Sequence, residues 1–294
     1  MGYKRLDRDF SNDGLRCAAW LYLPDEVQRP PVVIMAHGFA GERTFCLPAF
    51  AEKFVDQGLA VVLFDYRNFG DSAGEPRNWV DPDRHRSDWK AALAHVRSLP
   101  EVDSSRIALW GSSFSGGHVI CTAAEDGDIR AIVAQVPYVG GATDAKPSPG
   151  FVLKVLWALL LDKLKTAITG QPHWIPAIAR PGEFGIMTAA EAQDYWTLLP
   201  PGSTWQNRVP ARILSKVSSY RPVDLADGVN CPALLVLGEQ DETTPPAPIR
   251  ACFDKLPLGE LMSLDCGHFA VYSGPMFEQV VAREAAFLTE HLGA

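Results

Sequence analysis

The chain has 294 residues, 47% of them hydrophobic and 21% charged, with a formal net charge of −8. This is enough apolar material for one large or two small globular domains, and the acidity excludes nucleic acid, which is held through a basic footprint. The six cysteines fall singly and in no metal-ligand spacing, so they read as structural thiols of a reducing, cytoplasmic compartment.

Met1 to Asp13 alternates charged and polar residues and lacks the apolar centre of a secretory signal. Arg16–Leu23 predicts an antiparallel strand at the sheet edge. Pro31–Ala36 predicts a buried strand, because it is continuous, β-branched, preceded by proline and followed closely by glycine. Leu59–Phe64 repeats that pattern after the turn glycine Gly58. Asp88–Leu99 sets Trp89, Leu93 and Val96 on one helical face. Arg106–Trp110 and Ile129–Val136 are further strand runs.

From Gly140 to Pro222 no strand pattern occurs. The stretch holds an apolar helix near residues 151–164, then proline-rich sequence with Trp174, Trp196 and Trp205. Phe151–Leu164 is the most apolar run, but Lys154, Asp162 and Lys163 interrupt it. It is also shorter than the roughly 20 residues of a membrane span, so no stable membrane association is expected. Ala233–Leu237 and Leu261–Leu264 resume the strand pattern, and Met276–Leu292 predicts a closing helix stopped by Gly293. Strands alternating with helices predict a mostly parallel sheet covered on both faces. Residues 1–139 and 223–294 would form this core, and 140–222 a cap or lid inserted over one edge.

The chemistry concentrates in Trp110-Gly111-Ser112-Ser113-Phe114-Ser115-Gly116-Gly117. A buried strand runs into Gly-x-Ser-x-small and then into a helix, which is the strained turn that lifts a nucleophile clear of a sheet. Small residues are needed where strand and helix backbones nearly touch, and the hydroxyl arrives at a helix N-terminus, where negative charge is favoured. The fifth position is Ser115 where glycine is usual. Asp241 follows a later strand in Gly238-Glu239-Gln240-Asp241, and His268 lies in Cys266-Gly267-His268-Phe269 after the last one. Alone, each would be an ordinary loop residue. A serine hydroxyl, however, needs a neighbouring base, and the base a carboxylate to fix its tautomer. Ser113, Asp241 and His268 are the candidate catalytic residues. His37-Gly38-Phe39-Ala40-Gly41, directly after a strand, fits a loop whose backbone N–H holds an oxyanion together with the N–H after the nucleophile. Phe39 and Phe114 are the expected donors, with His37 shaping the loop.

These motifs resemble the α/β-hydrolase superfamily from about Leu15 to the C-terminus. Phe64-Asp65-Tyr66-Arg67-Asn68-Phe69-Gly70-Asp71-Ser72 is similar to that family's D-x-R-G-x-G-x-S segment, departing at Asn68, where asparagine is the next best residue after glycine for a left-handed backbone. Gly267-His268-Phe269 with Tyr272 is similar to the histidine loop of dienelactone-hydrolase-like esterases and acyl-cleaving peptidases. The resemblance implies an eight-stranded, mostly parallel sheet flanked by helices with a helical cap inserted after the sixth strand.

The expected activity is hydrolysis of an ester, thioester or amide of a small-molecule acyl substrate through an acyl-enzyme, with no metal or organic cofactor. Alternatives are an acyltransferase using the same intermediate, or a ligand-binding protein on the same fold. A homo-oligomer is possible in either case. His118, Trp79 and Asp81 are expected to pack rather than react, and Asp265 sits on the base's own strand. The apolar helix is expected to be a buried element of the cap or to line an acyl pocket, with Trp157 as the candidate substrate-binding residue.

Overall fold

A computed structural model describes residues 2–140 and 148–294. Met1, and residues 141–147 of the segment expected to form the cap, lie outside them. Eight strands form one sheet: β1 (Tyr3–Asp7), β2 (Ala19–Pro24), β3 (Val32–Ala36), β4 (Ala60–Phe64), β5 (Ile107–Ser112), β6 (Ala131–Gln135), β7 (Ala233–Gly238) and β8 (Gly259–Leu264). Their spatial order is β1-β2-β4-β3-β5-β6-β7-β8. β2 pairs antiparallel with both neighbours, and every other pairing is parallel.

β3 to β7 are buried at every position. Covered on both faces, they can be apolar without alternation, which is why they stand out in the sequence. Helices α1 (Leu47–Val55) and α7 (Gly274–Leu292) pack together on one face. On the other, α2 (Pro82–Ser98) packs on α3 (Phe114–Glu125), which lies against β5 and β6. Asp81 caps α2 by accepting from the backbone N–H of Asp83 and Arg84, and Gly293, at φ 66°, ends α7.

The strand expected over Arg16–Leu23 is two strands. Leu15–Cys17 pairs with Phe10–Asn12 in a small separate hairpin, and the chain then re-enters the main sheet as β2. Nor is β2 the edge: β1 covers it. Tyr3–Asp7 is almost wholly exposed, so it carries charges in place of an apolar signature.

Between β6 and β7 runs the helical cap: α4 (Pro149–Thr169), a 3-10 helix over Ala190–Leu198, and α5 (Leu214–Val217). Of α4 only Ala158 and Asp162 are buried. Asp162 is held by the Arg212 guanidinium at 2.7 Å and by the His173 backbone N–H at 2.8 Å. The expectation of a helix buried all round therefore fails. Leu153, Trp157, Leu160, Leu164 and Ile168 are 46–80% exposed and form a stripe at helical spacing along its outer side. No described helix is long and apolar enough to cross a membrane. α6 (Pro246–Phe253) packs on β7 and β8.

Candidate active site

The turn at Ser113 follows from steric necessity. Ser113 sits between β5 and α3 at φ 57° and ψ −120°, a strained conformation for a residue with a side chain. Its own N–H and C=O are tied down, the first to the Gln135 carbonyl and the second by the Tyr138 N–H, each at 2.8 Å. A Cβ on Gly116 would stand 2.7 Å from Pro137 Cβ, and one on Gly111 would strike the Ser115 backbone. Close approach is thus demanded at 111 and 116. Ser115 is tolerated because its hydroxyl has room to pair with Tyr66 Oη at 2.8 Å.

Three loops at the carboxyl ends of β5, β7 and β8 bring the candidate residues together, where open parallel sheets place their ligands. His268 Nε2 lies 3.0 Å from Ser113 Oγ, and its Nδ1 lies 2.7 Å from Asp241 Oδ2. All three side chains are buried, with Ser113 8% exposed. Asp241 is locked in turn, because its Oδ1 accepts the Thr244 N–H at 2.6 Å and its Oδ2 the Thr244 hydroxyl at 2.7 Å. A carboxylate facing Nδ1 holds the proton there, which leaves Nε2 free to accept from serine. Asp265 is exposed and bonds the Gln240 side chain at 2.7 Å.

The loop after β3 passes close beside Ser113. Gly38 passes so near the nucleophile that a Cβ would stand 3.0 Å from both Ser112 O and Ser113 Cβ. His37 Nδ1 lies 3.0 Å from the Gly38 carbonyl. A carbonyl only accepts, so Nδ1 carries the proton; burial pushes this imidazole down to about 4, which keeps it neutral. Because N–H and C=O point oppositely across a trans peptide, fixing the Gly38 carbonyl also fixes the Phe39 N–H. Phe114 opens α3, so its N–H has no partner within the helix. The Phe39 and Phe114 rings meet edge to face at 5.5 Å.

Asn68 takes φ 74°, the left-handed conformation in which it substitutes for glycine. Nearby Asp65 accepts from the backbone N–H of Arg43 and Asp71, while burial raises its carboxyl to about 7 despite Arg43. His118 is fully buried, with its ring nitrogens on Tyr220 and His85 and its ring packed against Phe114 at 4.8 Å.

A cavity of about 410 Å³ opens over Ser113, lined by Phe39, Phe114 and Tyr138 from the core and by α4, Ile186, Met187, Leu214 and Val217 from the cap. The α4 residues that face it are Phe151, Val152, Val155 and Leu156. Trp157 is outside this lining and 60% exposed, so the sequence expectation named the right helix and the wrong face. The described lining residues carry no charge; Ser113, Tyr138, Ser218, Thr243 and Thr244 supply its hydroxyls. A second space of about 20 Å³ reaches Ser113 from the other side, between His268, Phe269, Tyr272 and Tyr195. Thr244 gave no signal in the sequence beyond its place three residues after Asp241.

Comparison with known proteins identifies the family and the fold. The quorum-quenching protein AidA of Acinetobacter baumannii is 36% identical, over 96% of this chain and 94% of its own. A thiohydrolase of Eupenicillium brefeldianum is 27% identical, over 94% and 91%. The crystal structure of the α/β hydrolase GrgF from Penicillium superposes with a TM-score of 0.87 at 27% identity, covering 99% of this chain and 100% of that one. The X-Pro dipeptidyl-peptidase (S15 family) model matches residues 13–260, so the chain belongs to that family and is a hydrolase of the α/β-hydrolase fold.

Proposed function

We propose that the protein hydrolyses an uncharged ester or thioester with an apolar acyl chain, using Ser113 as nucleophile, His268 as base and Asp241 as the group that orients it. The observation that carries this is the 3.0 Å contact between His268 Nε2 and Ser113 Oγ at the floor of an uncharged, largely apolar cavity. Ser113 Oγ attacks the carbonyl carbon while Nε2 takes its proton, and the Phe39 and Phe114 N–H groups receive the oxyanion. The acyl chain lies in the large cavity, whose size is ordinary for a small-molecule site.

The leaving group departs on the side from which His268 returns the proton. Water then enters by that route and repeats the sequence. The thiohydrolase relative supports a thioester as one leaving-group class. A space of about 20 Å³ beside His268 is large enough to hold the attacking water. Capture of a peptide amino terminus calls for a carboxylate, and the described cavity lining offers none. Free cysteines, five of them buried, fit work in a reducing compartment such as the cytoplasm.

The test is a panel of p-nitrophenyl esters of rising chain length beside an acyl thioester, a lactone and an X-Pro dipeptide amide, with products analysed with and without added alcohol. Uncharged acyl substrates of intermediate length should be cleaved best, and to the free acid. Preference for the dipeptide amide, or an alcohol ester as main product, would refute the proposal.

A further inference from the structure

The cap does more than roof the cavity. Glu191, near the start of the 3-10 helix Ala190–Leu198, reaches down between two of the catalytic loops. Its Oε1 accepts from the Glu242 N–H at 2.8 Å, the Thr243 N–H at 2.7 Å and the Thr243 hydroxyl at 2.8 Å. Its Oε2 accepts from the His268 N–H at 2.9 Å. The first three belong to the loop that carries Asp241, and the fourth is the backbone of the base itself. The space is shaped around the carboxylate, since a Cβ on Gly267 would stand 2.5 Å from Oε2. One helical turn on, Tyr195 Oη donates to the Phe39 carbonyl at 3.0 Å, so the same short helix also touches the oxyanion loop.

The parallel pairing of β7 with β8 sets the two loops side by side, and Gln240 adds a backbone bond to the Cys266 carbonyl at 3.0 Å. Past that point the bridge from Glu191 spans the two loops where Asp241 and His268 meet. Bonds from backbone N–H to a carboxylate are charge-assisted and short. They restrain the peptide from which the imidazole projects and the turn whose Thr244 N–H holds Asp241. We propose that Glu191 is a positioning residue: from the cap it ties the acid loop to the histidine loop and so sets the alignment of Asp241, His268 and Ser113. This rests on the triad assignment above.

The consequence separates alignment from binding. Glu191 lies outside the acyl cavity, so its loss should act on the reaction and leave binding of a small activated ester nearly unchanged. In the full-length protein, Glu191→Ala should lower kcat on p-nitrophenyl butyrate about 10- to 100-fold, the scale of a misplacement near 1 Å, with KM within about three-fold. Fluorophosphonate labelling of Ser113 should slow in parallel. Glu191→Gln keeps a carbonyl oxygen for the acid loop but turns an NH₂ toward the His268 N–H, so its kcat should fall between wild type and Glu191→Ala. Should Glu191→Ala not fold, Glu191→Gln alone carries the test. Folded variants with kcat within two-fold of wild type would overturn the proposal. So would a change confined to KM, or equal losses in both variants that follow a common fall in Tm. Failure of the wild-type enzyme to label at Ser113, with Ser113→Ala as control, would instead remove the triad assignment beneath it.

Discussion

Replacing Asp241 by asparagine tests the proton relay most sharply, because the surrounding bonds dictate how the amide must sit. Asp241 Oδ1 accepts the Thr244 N–H at 2.6 Å, so the asparagine oxygen is retained there; the reverse orientation would point an NH₂ at an N–H. The amide nitrogen then occupies the place of Oδ2, 2.7 Å from His268 Nδ1. It can only donate in that position, so Nδ1 must become an acceptor and the proton moves to Nε2, facing Ser113. The base is present, in place, and in the wrong tautomer. The same tautomer error in a serine protease costs about 10⁴ in rate. With an oxyanion loop left intact, a loss of about 10³- to 10⁴-fold in kcat follows, or roughly 4–5.5 kcal/mol of barrier. The assay is kcat on p-nitrophenyl butyrate for wild type, Asp241→Asn and Asp265→Asn. Exposed Asp265, bonded to Gln240, should tolerate the change within about two-fold. An Asp241→Asn enzyme within ten-fold of wild type, or a crippled Asp265→Asn enzyme, would refute the tautomer reasoning.

Filling the cavity with Val155→Trp should shift the preferred acyl chain shorter by tens-fold in kcat/KM, whereas Trp157→Ala should leave the chain-length profile of the ester panel unchanged. His37→Ala should lower kcat about ten-fold with little effect on KM, because the Gly38 carbonyl keeps only the longer 3.3 Å bond from the Gly41 N–H and the Phe39 N–H is aimed less firmly; a pure KM effect in steady-state kinetics would contradict this. Glu284 is fully buried, bonded to Trp110 Nε1 at 2.9 Å, and burial raises its carboxyl to about 8. It is therefore protonated when folded at neutral pH and ionised when unfolded. The stability this contributes is complete below about pH 4.5 and is lost at up to about 1.4 kcal/mol per pH unit as pH rises towards 8. Glu284→Gln mimics the protonated acid, so its Tm should exceed wild type at pH 8 and match it at pH 5; equal differences in thermal melts at both values would refute the assignment.

How much of this was legible in the sequence depends on whether a feature is dictated locally. The strands β3 to β7 announced themselves because burial on both faces selects apolar residues almost throughout. The nucleophile turn did so because two backbones in contact forbid large ones at Gly111 and Gly116. Asp241 and His268 were weak signals singly, and their order along the chain and their places after strands made them specific. β1 was invisible: an exposed edge strand reading Tyr-Lys-Arg-Leu-Asp has no pattern to set it apart from a loop. The break at Ala18 between the small hairpin and β2 was hidden for the opposite reason, since Arg16–Leu23 is strand-like throughout and only tertiary pairing divides it.

The cap marks the boundary most clearly. Apolar periodicity says that a helix side avoids water, but a ligand cavity and an uncovered outer face leave the same mark. On α4, Val155 and Leu156 face the cavity while Trp157, the larger and more conspicuous residue, lies on the outer stripe. One residue of helix is about 100° of rotation, enough to exchange the two environments, and only the packing of Ala158 and Asp162 against the rest of the cap sets that rotation. Glu191 is the extreme case. It is one acid in an alanine-rich stretch, 77 positions from His268, with no motif around it, and its partners are three backbone N–H groups and the Thr243 hydroxyl, a pairing that leaves no trace in sequence. Machinery made of side chains at fixed local spacing can be read from the chain; what aligns that machinery is made of tertiary contacts and has to be found in the structure.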